Sequence, residues 1–176
     1  MIDILQYPDS RLGIKADTVV DFSDKALQQV IDDMLETLHN TENCAGLAAT
    51  QLNIPHPKRI TVIYDYKDKE NRKPASLCLV NPEIIAREGE FLEPEACMSV
   101  QGGVYEIVPA RSFKVTVRAQ DRFGNFFEIV GEGYMAKLLQ HELDHLDGVI
   151  FIDRLSRLKR QRIDKKISKL IKRKNS

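Results

Sequence analysis

The chain has 176 residues, of which 43% are hydrophobic and 30% charged, a composition typical of one soluble globular domain. No apolar run approaches the roughly 20 residues that span a bilayer, and no basic segment followed by an apolar stretch opens the chain. We therefore expect a cytoplasmic protein with no membrane span. The three cysteines, at positions 44, 78 and 97, argue against a disulfide framework.

Charge is distributed unevenly along the chain, although the formal net charge is zero. Residues 154–176 carry eleven Lys and Arg but a single acid, Asp164, whereas residues 1–153 carry ten more acids than bases. This asymmetry predicts an acidic body with a basic tail. We assign 1–153 to a catalytic domain and 154–176 to a basic C-terminal helix of the same domain.

The first half of the chain begins with a helix and continues with short strands. Apolar residues at helical spacing predict a helix from Ser23 to about His39, with Ser23 as its cap. Arg59 to Tyr64 is typical of a strand, and residues 65–74 are typical of a polar loop. Leu77 to Val80 predicts a short buried strand, which Asn81-Pro82 ends in a turn.

The second half predicts a hairpin followed by a helix. Apolar and polar residues alternate from Phe113 to Gln120, a turn containing Gly124 follows, and a second strand covers 126–130. A helix from Tyr134 to Leu146 comes next and ends at Asp147-Gly148. We predict an α+β fold in which antiparallel strands pack around this helix, with further helices at both ends of the chain.

The HELDH motif at 141–145 carries the chemistry. His141 and His145 are four residues apart, so on a helix both imidazoles reach one metal ion. Glu142 lies close enough to exchange a proton with a water at that ion. Such a five-residue motif also arises by chance on a solvated helix face, so other parts of the sequence must indicate whether it binds a metal.

A catalytic metal usually has three protein ligands, and the motif supplies two of them. Downstream, the candidates for the third ligand are Asp147 and Asp153. Upstream, Cys97 stands out in the segment Glu93 to Val100. A cysteine without such a context is more often a small buried hydrophobe.

Three segments, taken in order, resemble the peptide deformylase family. They are GLAATQ at 46–51, EACMS at 95–99 and QHELDH at 140–145. The resemblance implies a metal site of three residues: Cys97, His141 and His145. It implies that Glu142 exchanges protons, that the Gln51 amide and the Met98 N–H face the formyl oxygen, and that Gly46 lies against the substrate. Its implied metal is Fe²⁺, with Ni²⁺, Co²⁺ or Zn²⁺ as accepted substitutes, and its implied substrates are newly made formylated polypeptides.

The chain departs from the family at residues that line the substrate pocket. Ala45 stands where the family has a branched apolar residue, and Tyr134 and Lys137 stand where it has apolar residues on the face of the motif helix. The metal ligands, Glu142 and Gln51 are unchanged. We therefore predict hydrolysis of N-formyl groups with an altered or weaker preference for methionine.

Acidic residues beside the motifs predict supporting ion pairs. We expect Asp144 to orient a ligand or to anchor a neighbouring Arg, and Glu95 to pair with Arg111.

The basic tail combines an apolar stripe with many cations. The stripe consists of Leu155, Leu158, Ile163, Ile167, Leu170 and Ile171. A helix that packs this stripe on the body and leaves a solvated basic face is the simplest interpretation. In deformylases with a C-terminal helix, that helix docks on the ribosome near the exit of the nascent chain, and this tail resembles it in position and charge. An anionic membrane surface is the alternative partner.

Three functions are consistent with these residues. The first is removal of the formyl group from new polypeptides by a monomeric, metal-dependent enzyme. The second keeps the fold and the metal but acts on another N-formyl or N-acyl substrate. The third is a deformylase-like protein that binds ribosomes or nascent chains without turnover, against which the intact motifs argue.

Overall fold

A computed structural model describes residues 1–66 and 74–176, so most of the polar loop predicted at 65–74 lies outside the described residues. Three α-helices are present in this part of the chain: α1 (Lys25–Asn40), α2 (Tyr134–Leu146) and α3 (Arg157–Lys174). Its strands are β1 (Gly46–Ala48), β2 (Ile60–Tyr64), β3 (Ser76–Glu88), β4 (Pro94–Glu95), β5 (Glu106–Ile107), β6 (Lys114–Gln120) and β7 (Phe126–Glu132). The predicted α+β class is confirmed.

Helix α1 covers the predicted segment, but its cap is different. The side chain of Asp24, not Ser23, accepts a hydrogen bond from the Ala26 N–H and so caps the helix. Ser23 instead donates its hydroxyl to Asp21 at 2.6 Å. The apolar face of α1, which includes Ile31 and Met34, is fully buried against the first strands of the sheet.

Five strands form one antiparallel sheet in the order β1-β2-β3-β6-β7. The prediction of a short strand at Leu77–Val80 followed by a turn is wrong, because β3 continues through Asn81-Pro82 to Glu88. Asn81 has a positive φ of 50°, and the pairing with β6 shifts register between Val80 and Glu83. The proline is accommodated at this irregularity, and the Asn81 amide donates to the Val19 carbonyl across it.

The predicted hairpin is confirmed as β6 and β7, which pair from Lys114–Glu132 to Gln120–Phe126. Val115, Val117 and Ala119 point into the core, while Phe113, which precedes the strand, is largely exposed.

Helix α2 has the predicted bounds and is almost entirely buried. Its apolar residues, including Leu139 and Leu143, share one core with Val115 and Val117 of the sheet. The sheet thus packs against the helix that carries the HELDH motif, and β4 contacts the same helix through hydrogen bonds of Pro94 with Lys137 and of Glu95 with His141.

Helix α3 packs its apolar stripe on the body with one exception. Ile163 and Ile167 are buried in the same cluster as Val100 and Phe151, but Leu158 is 59% exposed and faces solvent. The prediction that Leu158 belongs to the apolar stripe is therefore wrong. No helix within the described ranges has both the length and the apolar character needed to cross a bilayer.

Candidate metal centre

Three donor atoms from two separate segments meet beside α2. The Nε2 atoms of His141 and His145 are 3.2 Å apart, and the Sγ atom of Cys97 is 3.3 Å from Nε2 of His145. All three donors lie within 4.8 Å of one another. The histidines lie on successive turns of α2, and Cys97 follows β4 in a turn closed by the Val100 N–H on the Cys97 carbonyl.

The spacing of these atoms fits a tetrahedral metal site. With metal–N bonds of about 2.0–2.1 Å and a metal–S bond of about 2.3 Å, neighbouring donors of such a site lie about 3.3–3.6 Å apart. One thiolate and two imidazoles form a donor set suited to a divalent transition metal. Oε2 of the adjacent Glu142 is buried and has no hydrogen-bond partner among the described residues.

The two aspartates that sequence reasoning left open as third donors are engaged elsewhere. Asp147 forms an ion pair with Arg59 at 2.7 Å. Asp153 pairs with Arg160 and accepts a hydrogen bond from the Ile150 N–H. Neither belongs to the cluster of donors formed by Cys97 and the two histidines.

A buried carboxylate holds His141 in one orientation. Oε2 of Glu95 lies 2.7 Å from Nδ1 of His141, so Nδ1–H donates to Glu95 and the Nε2 lone pair faces the other donors. Burial alone would raise the pKa of Glu95, but hydrogen bonds from His141 and Arg111 outweigh it and lower the pKa to about 2. Glu95 therefore remains an anion beneath the site.

Arg111 connects the segment that carries Cys97 with the helix that carries the histidines. Its Nε lies 2.5 Å from Oε1 of Glu95 in β4, which confirms the predicted pair, and its Nη1 lies 2.7 Å from Asp144 in α2. Asp144 is also bound by Arg154 through two hydrogen bonds of 2.6 Å. Asp144 thus anchors neighbouring arginines, one of the two roles expected from the sequence.

Glu142 lies at the base of the site and is 2% exposed. Burial raises the pKa of its carboxyl group to about 7, which suits a group that accepts and returns a proton near neutral pH. Gly46 makes room for it, because a Cβ at position 46 would lie 3.1 Å from Oε1 of Glu142 and 2.9 Å from Ile63. A larger residue there would displace the carboxylate.

The Gln51 amide is fixed so that its nitrogen faces the donor atoms. Oε1 accepts from the Ala48 N–H at 2.9 Å, and Nε2 lies 3.2 Å from Ser99 Oγ and 3.5 Å from Cys97 Sγ. Met98 borders the same cavity, and its N–H has no acceptor among the described residues.

An open cavity of about 400 Å³ leads to these residues. It brings together all the site residues predicted from the sequence except His145. Sequence reasoning missed Asn43, Tyr105 and Leu138, which also line it. The first two lie outside every motif, whereas Leu138, three residues before His141, could have been found from helical spacing.

Ala45, Tyr134 and Lys137 all line this cavity, as expected. Tyr134 packs edge-on against Tyr66, with ring centroids 5.3 Å apart. The Lys137 ammonium donates to the Pro94 carbonyl at 2.8 Å. The cavity wall nearest α2 is therefore more polar than an aliphatic pocket.

Comparison with known proteins identifies the family. The sequence profile of the family described as polypeptide deformylase matches residues 1–161. Peptide deformylase 1 of Coxiella burnetii is 56% identical over 170 residues, which cover 97% of this chain and 96% of the relative. The peptide deformylase of Chromobacterium violaceum is 44% identical over 96% of this chain and 95% of its own length.

Solved structures give the same result at the level of the fold. The crystal structure of a peptide deformylase from Legionella pneumophila superposes with a TM-score of 0.84 at 42% identity, covering 99% of this chain and 98% of that one. The peptide deformylase from Ehrlichia chaffeensis in complex with actinonin gives a TM-score of 0.83 at 33% identity, with 96% of each chain covered. Matches in sequence and in fold thus extend over nearly the whole length, and this chain belongs to the polypeptide deformylase family.

Proposed function

We propose catalytic roles for individual residues in an enzyme that, as a peptide deformylase, removes the N-formyl group from newly made polypeptides. The observation that carries the proposal is the juxtaposition of three metal donors with the buried, unpartnered carboxylate of Glu142 at the end of one open cavity. A formamide placed there meets a site that can polarise its carbonyl and supply a proton to its nitrogen.

Cys97, His141 and His145 would hold the metal, and Fe²⁺ is our proposed ion, with Ni²⁺, Co²⁺ or Zn²⁺ as substitutes. A divalent ion at these donors supplies Lewis acidity and lowers the pKa of water. Glu95 keeps the His141 ring oriented, and Arg111 keeps Glu95 charged. These contacts hold the donor atoms without help from the substrate.

Glu142 would accept a proton from the attacking water and return it to the nitrogen of the departing peptide. Its pKa of about 7 allows both transfers near neutral pH. Gln51 Nε2 and the Met98 N–H would donate to the oxygen of the formyl group as negative charge develops on it. Removal of one such donor typically lowers the rate by about 10²–10³.

The test is an anaerobic assay of Fe²⁺- or Ni²⁺-loaded protein on peptides with N-formyl, N-acetyl and free N-termini. We expect release of formate from the formyl peptide, and a loss of about 10²–10⁴ in turnover with full metal content for Glu142→Gln. Glu132→Gln, an exposed substitution in β7, serves as the control. Preference for another acyl group would support the second function, and tight peptide binding without turnover would support the third.

We propose a weaker preference for methionine than an aliphatic pocket would give. Ala45 widens the cavity, and Tyr134 and Lys137 add polar groups to its wall. Catalytic efficiencies on formyl-Met, formyl-Leu and formyl-Ala peptides of the same length measure this preference. A methionine preference as strong as that of a deformylase with an aliphatic pocket would contradict it.

We propose that α3 binds the ribosome near the exit of the nascent chain. Eight of its exposed cations form no ion pair with another described residue: Arg157, Arg162, Lys165, Lys166, Lys169, Lys172, Arg173 and Lys174. Such a surface is suited to phosphate groups, and its affinity would fall steeply with salt. A membrane surface is the competing partner.

Deletion after Arg160 is a poor test, because it would also remove Ile163 and Ile167 from the core. Replacing Lys165, Lys166 and Lys169 with Gln removes charge and keeps the helix. We expect weaker, less salt-dependent binding to ribosomes and unchanged turnover of short peptides. Equal ribosome affinity of the variant would contradict the proposal, as would binding that requires anionic vesicles.

A cytoplasmic location follows from this proposal, because translation supplies the substrate there. We also propose a monomer. One chain contributes every donor and every residue that lines the cavity, so the site does not require a second copy.

A further inference from the structure

The ammonium of Lys137 is held inside the wall of the substrate cavity with part of its hydrogen-bonding capacity unused. Lys137 is 8% exposed, and its Nζ donates to the Pro94 carbonyl at 2.8 Å. It forms no ion pair and no second hydrogen bond with a described residue. An ammonium has three N–H donors, so two of them lack an acceptor among the described residues.

Two aromatic rings lie near this ammonium. Nζ lies 5.1 Å from the ring centroid of Tyr134 and 5.8 Å from that of Phe91. Burial is the main cause of the lowered pKa of Lys137, while the carboxylates of Glu95 and Glu93 act in the opposite direction. A ligand that carries a hydrogen-bond acceptor would therefore compensate the Lys137 ammonium for the water that it loses on burial.

The first side chain of a formyl peptide is the group that can reach Lys137. Lys137 precedes His141 by four residues, about 6 Å along the helix axis, and both residues line the same cavity. When the formyl group lies at His141 and Glu142, the first side chain branches from the carbon bonded to the formamide nitrogen. A side chain as long as methionine spans the distance to the neighbouring turn.

We propose that Lys137 is a specificity-determining residue that favours a first side chain ending in a neutral oxygen acceptor, of which methionine sulfoxide is the natural example. A thioether is a weak acceptor, whereas oxidation adds a strongly accepting oxygen at the same position. A neutral acceptor suits the wall better than a carboxylate, because a carboxylate would lose more hydration beside the rings of Tyr134 and Phe91. This inference rests on the proposed function, since it assumes that a formyl peptide occupies the cavity.

The test compares kcat/KM of the metal-loaded enzyme on two peptides that differ only in the first residue, formyl-Met sulfoxide and formyl-norleucine. Norleucine has the length of methionine but no acceptor. A hydrogen bond to a charged donor corresponds to about a ten- to hundredfold effect. We expect the ratio of sulfoxide to norleucine efficiencies to fall by at least about tenfold in Lys137→Met, and to be largely retained in Lys137→Arg.

Lys114→Met is the matched control, because Lys114 lies on β6 and pairs with Glu132 at the surface. It should keep the wild-type ratio. An unchanged ratio in Lys137→Met would overturn the inference. A wild-type enzyme that disfavours the sulfoxide relative to norleucine by more than a hundredfold would also overturn it. This second measurement does not require the variant, so the test remains decisive if Lys137→Met does not fold. Absence of turnover on every formyl peptide would instead overturn the proposed function.

Discussion

Nδ1 of His141 lies 2.7 Å from Oε2 of Glu95, and this contact joins a proposed metal donor to a buried anion. The same carboxylate accepts from Arg111 through both of its oxygens. The contact sets which nitrogen of His141 carries the proton, and therefore which nitrogen is available to a metal.

Glu95→Gln should weaken the site, because it removes the charge that orients His141 and leaves Arg111 without its buried partner. Loss of such a supporting contact typically lowers metal affinity or activity by about 10–100-fold. Competition with a chromogenic chelator measures the affinity. Glu93→Gln, two residues earlier and exposed, is the control. Equal affinities for the two variants would contradict this role for Glu95.

Gly46→Ala should reduce turnover strongly, because the added Cβ would lie 2.9 Å from Ile63 and 3.1 Å from Glu142 Oε1. Either the Ile63 side chain or the Glu142 carboxylate must shift. We expect a loss of at least about 10² in kcat with a smaller change in KM, as for misplacement of a reacting group by about 1 Å. Gly13→Ala, where a Cβ would meet no atom within 4 Å, should leave turnover unchanged. Similar losses for both variants would point to a general effect on folding.

Ile167→Ala should destabilise the protein by about 2–5 kcal/mol, because Ile167 is buried between α3 and the core below Cys97. Leu158→Ala, on the exposed side of the same helix, should change the free energy of unfolding by less than about 0.5 kcal/mol. Urea denaturation of both variants measures the difference. Equal values would mean that α3 is not packed on the body in solution.

The thiol of Cys78 should react slowly with alkylating reagents in the folded protein. Burial raises its pKa to about 12, so its thiolate population at pH 8 is about a thousandfold below that of an ordinary cysteine. The labelling rate should rise about tenfold per pH unit from pH 8 to 11, as measured by mass spectrometry of the Cys78 peptide. The unfolded chain loses this proton at lower pH than the folded one, so raising the pH from about 9 to 12 also destabilises the fold. Rapid labelling at pH 8 without denaturant would contradict the prediction.

Local patterns predicted the elements whose signals are contained within a few residues. The bounds of α2 follow from one apolar face between Gly133 and Gly148, and the β6–β7 hairpin follows from alternation around Gly124. The path of β3 through Asn81-Pro82 could not be predicted in this way, because the irregularity is stabilised by Val19, sixty-two residues away. Asp24 rather than Ser23 caps α1 because the chain has two suitable caps in succession, and local sequence does not choose between them.

In the candidate site, too, some features follow from local sequence and others depend on the tertiary fold. The motifs predict Cys97, His141 and Glu142 as site residues from residue type and order. The contact between Glu95 and His141, in contrast, depends on how β4 lies relative to α2. The position of the Lys137 ammonium is likewise a tertiary property. Helical spacing puts Lys137 on the face of His141, whereas its hydrogen bond to Pro94 depends on a strand forty-three residues earlier.

The end of α3 contacts the segment that leads from Cys97 to the cavity residue Tyr105. Lys174 donates to Gln101 at 2.7 Å, and a Cβ at Gly102 would lie 2.7 Å from Leu170, while Tyr105, three residues further on, lines the cavity. A polyanion held along α3 would therefore be held close to the segment that carries Tyr105. When a polypeptide emerges from the polyanion bound along α3, its N-terminus meets the active site within one complex. The length of the emerging polypeptide, and not the concentration in bulk solution, then sets the effective concentration of the substrate. Enzyme anchored in this way could deformylate such chain ends efficiently even with a modest affinity for free peptides.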